Sequence, residues 1–182
     1  TISNSTLSGN SASNGGGIRK YWSTLRIGNT IIANSTSGGD ILGGVILLSP
    51  STAANNLVTQ GSFSWATTVT TAQLNLGPLQ DNGGPTFTMA LGTGSSAIGT
   101  ANATISNTSP ILGLDQRGFT RSSTAPSIGA YEFNAFGVAT RATLTTAAAG
   151  SASGSAFTTQ PIISIKDTFG NIVTTSTASV AM

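Results

Sequence analysis

Two stretches, TISNSTLSGNSASNGG (Thr1–Gly16) and RIGNTIIANSTSGGDI (Arg26–Ile41), align at an offset of 25 residues, with Ile2 on Ile27, Asn4 on Asn29 and Leu7 on Ile32. A period in the twenties, rich in β-branched residues and without a heptad or a 3.6-residue stripe, is the signature of a solenoid whose turns each contribute short strands. Within each turn isolated Ile and Leu alternate with Ser, Thr and Asn, so one face of each strand is buried. Ile2, Leu7, Ile18, Leu25, Ile27 and Ile32 are expected to point inward. The glycines at Gly15–Gly17 and Gly38–Gly39 fall where the chain must turn sharply, since glycine accepts positive φ. Asn4 and Asn29 are expected to stack as a ladder, each amide bonded to its neighbour.

Outward from this repeat the pattern loosens. Ile41 to Val58 reads as a further coil carrying an insertion around Pro50. Thr86–Leu91 alternates strictly, which predicts a strand with Phe87, Met89 and Leu91 on one face. After Gly137 the composition turns to Ala, Thr, Ser and Gly, predicting a strand and a small-residue linker over residues 138–156. A strand from Pro161, a hairpin at Asp167–Asn171 and a strand at Ile172–Thr174 follow. The chain starts at Thr1 without methionine and stops at Met182 within a predicted strand, so a fragment of something longer is expected.

Composition removes whole classes of chemistry. Hydrophobic residues make up 38% of the 182, mean hydropathy is +0.17, and only 7% are charged, which is not a disordered composition. There is neither Cys nor His, so Ser-His-Asp and Cys-His catalysis, disulfides and the usual zinc sites are out of reach. The basic pI of 9.5 rests on seven Lys and Arg against five Asp and Glu. Arg19, Lys20 and Arg26 form one loop cluster rather than a stripe, so nucleic acid is not an expected partner. No apolar run approaches the roughly 20 residues of a membrane span.

The segments LGPLQDNGGPTFTMAL (Leu76–Leu91), GSSAIG (Gly94–Gly99), DQRGFTR (Asp115–Arg121) and SIGAYEF (Ser127–Phe133) resemble the closing part of the choice-of-anchor Q domain. That family belongs to large bacterial surface proteins of the pectate-lyase-like superfamily, akin to polymorphic outer membrane proteins, and the opening coils resemble its repeat turns. The likeness covers roughly residues 1–134. Two departures stand out: Gly99, where the family commonly carries aspartate, and Arg19-Lys20-Tyr21-Trp22, where its turns carry small polar residues. Gln160–Ala178 is similar to bacterial Ig-like repeats of adhesins. The resemblance implies an all-β chain, with the end of a right-handed parallel β-helix over 1–136 and a linker plus the first strands of a truncated Ig-like β-sandwich over 137–182.

Asp115, Arg117 and Glu132 are the charged residues of the two best motifs. Two acids with an arginine suit a lyase or glycosidase. The alternative, which is preferred, is a structural salt-bridge cluster in which Arg117 bridges both acids. Lyase chemistry also needs clustered calcium-binding carboxylates, and the coils before residue 76 offer only Asp40. Asp81-Asn82-Gly83-Gly84 reads as an Asx-capped turn rather than a calcium loop. Tyr21, Trp22 and Trp65 are candidate glycan-contact aromatics. Asn4, Asn34, Asn102 and Asn107 each open an N-x-[ST] pattern and are read as surface-loop markers.

Catalytic, metal and cofactor residues are therefore expected to be absent. The expected function is a non-catalytic, secreted or cell-surface scaffold of adhesin type, presenting flat Ser/Thr/Asn faces and binding surface glycans or neighbouring cell-surface proteins. The alternative is a carbohydrate-active β-helix enzyme with its catalytic coils outside this sequence. Ice binding is a third reading, motivated by Thr67-Thr68-Val69-Thr70-Thr71.

Overall fold

The computed structural model describes residues 1–22, 24–135, 139–167 and 173. They form mostly strands, with two short α-helices, and they belong to two compact units, Thr1–Ala135 and Phe136–Met182.

In the first unit, the strands of successive turns pair in parallel. The first turn supplies β1 (Ile2–Ser3), β2 (Thr6–Ser8) and β3 (Ile18–Arg19). The second supplies β4 (Arg26–Gly28), β5 (Thr30–Ala33) and β6 (Ile41–Leu42). The third supplies β7 (Ile46–Leu47) and β8 (Asn56–Val58), and β9 (Thr67–Thr68) follows. Three parallel sheets result, in the orders β1-β4-β7, β2-β5-β8-β9 and β3-β6. The register sets Ile2 on Ile27 and Leu7 on Ile32, the repeat offset read from the sequence.

Ile27, Ile32, Ile41, Val58, Trp65 and Ala66 form the buried interior of the coils; of the six residues expected to point inward, Ile27 and Ile32 belong to this cluster, and Ile2, Leu7, Ile18 and Leu25 pack against it partly buried. Gly16 and Gly17 show why the turns close on glycine: an added Cβ would lie 2.3 Å from Ser37 O and 2.5 Å from Asp40 O, respectively. Asn4 and Asn29 both adopt positive φ, 46° and 52°. Asparagine tolerates that conformation better than most residues. Their side chains stack, Asn29 Nδ2 donating to Asn4 Oδ1 at 3.2 Å.

One expectation about the coils fails. The outer face of the β2-β5-β8-β9 sheet is not a flat polar surface, because Ile31, Ala33 and Leu57 on that face are buried against Val69, Leu74, Leu91, Ala97, Ala101 and Ile128. Residues 69–133 therefore lie over this sheet as a lateral cover, and its middle strands β5 and β8 are buried on both faces, as strands of parallel sheets usually are, while β9 at the edge is exposed. Within the cover are helix α1 (Thr71–Leu74), the antiparallel pair β10 (Leu76–Gln80) and β11 (Thr88–Leu91), and helix α2 (Ala103–Asn107). Leu91 enters the core, but Phe87 is exposed and Thr88 buried, so the predicted single apolar face of this strand is not kept. The cover bonds to every turn. Asn4 Nδ2 donates to Ser106 Oγ at 2.7 Å, Ala130 N to Thr6 Oγ1 at 3.0 Å, Asn102 N to Asn29 Oδ1 at 2.7 Å, and Asn55 Nδ2 to Thr100 O at 2.7 Å.

In the second unit, β12 (Ala139–Thr146) and β13 (Ile162–Asp167) pair antiparallel. The predicted strand after Gly137 is present, and an exposed connection follows it. Leu144, Phe157, Ile162 and Ile163 are exposed, while Val173 is buried and donates its N–H to Ile165 O at 2.8 Å. The predicted hairpin after Asp167 and the rest of its second strand lie outside the described residues.

Candidate functional site

The DQRGFTR and SIGAYEF segments meet in a buried network of two arginines and two carboxylates. Asp115 shapes its own turn: Oδ1 accepts the N–H groups of Arg117 at 2.8 Å and Phe119 at 3.0 Å, and Gly118 takes a φ of 82°. Its other oxygen, Oδ2, receives Arg117 Nη2 at 2.7 Å, Arg117 Nε at 2.9 Å and the backbone N–H of Glu132 at 3.0 Å. The Arg117 guanidinium lies between the Phe119 ring, 4.3 Å from its centroid, and the Tyr131 ring at 3.7 Å. It also donates to the Glu132 carbonyl at 2.9 Å.

The Glu132 carboxylate is held elsewhere. Its Oε2 accepts the Ser127 N–H at 2.7 Å and faces Arg121 Nη1 at 3.4 Å, and its Oε1 accepts the Ser122 N–H at 3.3 Å. Arg117 thus reaches the backbone of Glu132, not its carboxylate, and the partner of that carboxylate is Arg121, which the sequence reading did not place in the cluster. Arg121 also donates to the carbonyls of Leu114, Ser127 and Gly129. Burial raises Glu132 above the ordinary carboxylate range and lowers Arg121 below the ordinary guanidinium value. Both shifts run toward the neutral forms, so desolvation outweighs the mutual attraction. Chemically, the network fixes two loops to each other: every carboxylate oxygen already has a protein donor.

Asp40, the lone acid of the coils, is buried and serves a similar purpose. It accepts the N–H groups of Ser35 at 3.1 Å, Thr59 at 2.8 Å and Gln60 at 2.7 Å, together with the Thr59 hydroxyl. Asp81 Oδ1 accepts the Gly83 N–H at 2.9 Å, an Asx turn, with Gly83 and Gly84 both at positive φ. Among the described residues no three acidic side chains come together in a way that would hold a metal ion.

The three aromatic candidates do not share a surface. Trp65 is buried and packs at 5.0 Å from Phe63 within the coil interior, so it is withdrawn as a glycan contact. Tyr21 and Trp22 are exposed, Trp22 at 98%, and line a groove of about 540 Å³. The Thr67–Thr71 row is broken, since Val69 is buried and Thr70 caps α1, its hydroxyl accepting the Gln73 N–H. Asn4 is buried, which removes it from the surface-loop markers. Among the described residues no helix is long and apolar enough to cross a membrane. In comparisons with known proteins, the chain matches no family model, no curated protein and no solved structure.

Proposed function

We propose that this chain is a non-catalytic scaffold segment of a secreted or cell-surface, adhesin-like protein, built on a right-handed parallel β-helix and continued by the first strands of an Ig-like β-sandwich. The observation that carries the reading is the state of its acids: Asp40, Asp115 and Glu132 are buried and saturated by protein donors, leaving Asp81 as the exposed carboxylate of the first unit. A polysaccharide-cleaving site needs acids free to exchange protons with a substrate, and these three are committed to holding loops. The parallel sheets at a repeat of 25 residues and the likeness of four ordered segments to the choice-of-anchor Q domain support the same reading. Its partners are surface glycans or neighbouring cell-surface proteins.

Incubation with pectins, alginates and host-type glycans tests it. The expected result is no release of unsaturated or reducing ends. Turnover that disappears in Asp115→Asn or Glu132→Gln while folding is kept would refute the scaffold reading, because a charge needed for rate and not for fold is a catalytic one.

A further inference from the structure

Arg19 ends β3 and the corner after it carries Lys20, Tyr21 and Trp22, and the next turn builds the same corner without them. The pairs Ile18 with Ile41 and Arg19 with Leu42 continue through the bond from Lys20 N to Leu42 O at 2.8 Å. Lys20 therefore falls opposite Gly43, and Gly44 follows where the first turn has Tyr21. A Cβ on Gly43 would lie 2.5 Å from Lys20 O, so the two corners are in direct contact. The coil closes there on glycine, and the bulk of Lys20, Tyr21 and Trp22 is not what closes it. Trp22 is 98% exposed and Tyr21 59%, so neither is held in the core.

The side chains instead build a groove. The guanidinium of Arg19 stands 4.4 Å from the Tyr21 ring centroid, and Ile18, Lys20, Trp22 and Thr24 line the same space of about 540 Å³. Among the described residues neither Arg19 nor Lys20 forms an ion pair. With three of the first unit's four carboxylates buried and Asp81 on the turn after β10, no acid lines this groove.

We propose that this groove binds an acidic polysaccharide. The inference rests on the adhesive reading above and supplies its ligand class. A free indole face accepts the apolar face of a pyranose ring. Stacking on Tyr21 orients the Arg19 guanidinium while leaving its N–H edge for a uronate or sulfate, and Lys20 adds a second cation. Single-stranded nucleic acid uses similar chemistry, but it binds through many phosphate contacts and successive stacking rings, and this corner offers two cations and one free indole.

Calorimetric titration of the 182-residue chain with polygalacturonate, heparin, neutral mannan and oligo(dT) tests the site. Expected are binding of the acidic polymers that weakens with salt, none of mannan, and at least a roughly ten-fold loss in Trp22→Ala. The double change Lys20→Gly with Tyr21→Gly, which imports the next turn's glycines, should abolish binding while the far-UV circular dichroism spectrum stays that of the parent, with a thermal midpoint lowered by only a few degrees. Arg26→Gln, outside the groove, should bind as the parent does. Absence of acidic-polymer binding, an unchanged affinity in Trp22→Ala, or tighter binding of oligo(dT) overturns the proposal. Product release in the same samples overturns the non-catalytic reading and with it the claim of binding without turnover, whatever Trp22 does.

Discussion

Asn29 is the residue on which coils and cover are most tightly coupled, and its replacement has a calculable cost. It is fully buried. Its Nδ2 reaches Asn102 O at 2.9 Å, Ser106 Oγ at 3.0 Å and Asn4 Oδ1 at 3.2 Å, and its Oδ1 accepts the Asn102 N–H at 2.7 Å. An amide has two hydrogens, so at least three bonds are lost in Asn29→Ala, at about 1 kcal/mol each. Alanine at a φ of 52° adds about 1 kcal/mol of backbone strain. The total, roughly 4 kcal/mol, is a large share of the 5–15 kcal/mol that hold a typical domain together. Asn29→Asp keeps the shape and the bond to Asn102 N but turns the donor into an acceptor facing Asn4 Oδ1 and Asn102 O. It should therefore destabilise more than alanine at neutral pH. Such a carboxyl is raised in the folded state, so its penalty grows as pH rises from its unfolded value and shrinks on acidification. Urea unfolding followed by tryptophan fluorescence reads this directly, because Trp22 and Trp65 both lie in the first unit. A loss below about 1 kcal/mol in Asn29→Ala, or an Asn29→Asp variant more stable than it at neutral pH, would refute the reasoning.

Three further outcomes are expected. With Glu132 raised by burial, the folded chain holds a proton that the unfolded chain has released, so stability falls as pH rises from the ordinary carboxylate value through the raised one. Urea midpoints across mildly acid pH should show that slope, and Glu132→Gln should flatten it. Gly84→Ala places a Cβ 2.6 Å from Arg117 Cα at a φ of 88° and should cost about 3 kcal/mol in thermal denaturation. Gly94→Ala, at a φ of 82° with nothing within 4 Å, should cost only about 1 kcal/mol. Limited digestion with elastase should cut within the exposed stretch 147–160 while a fragment covering 1–135 persists, as read by mass spectrometry.

What the sequence made legible was whatever repeats. The offset that puts Ile2 on Ile27 also sets the strand register, and the same alternation marks the interior residues. The lateral cover was not legible as a cover, because its contacts join residues such as Ile31 and Ile128 that no period relates. Trp65 and Trp22 read alike in Ser-rich surroundings, and only the third turn's packing separates the buried ring from the free one. Arg121 lies six residues past Asp115, outside any spacing that marks a pair, yet the fold brings it to Glu132. Asp40 drew attention only as the one acid of the coils, while its use as a clamp depends on Thr59 and Gln60, nineteen and twenty residues on.

The lateral cover changes how the stack would carry load. Coils joined only rung to rung can peel one at a time under tension, each step breaking a few backbone hydrogen bonds. Here the strip 69–133 is bonded to the first turn at Asn4 and Thr6, to the second at Asn29 and Asn34, and to the third at Asn55. It works as a splint laid along the stack: separating any two turns also shears the strip from one of them. Force applied along this stack is therefore shared across three rungs at once.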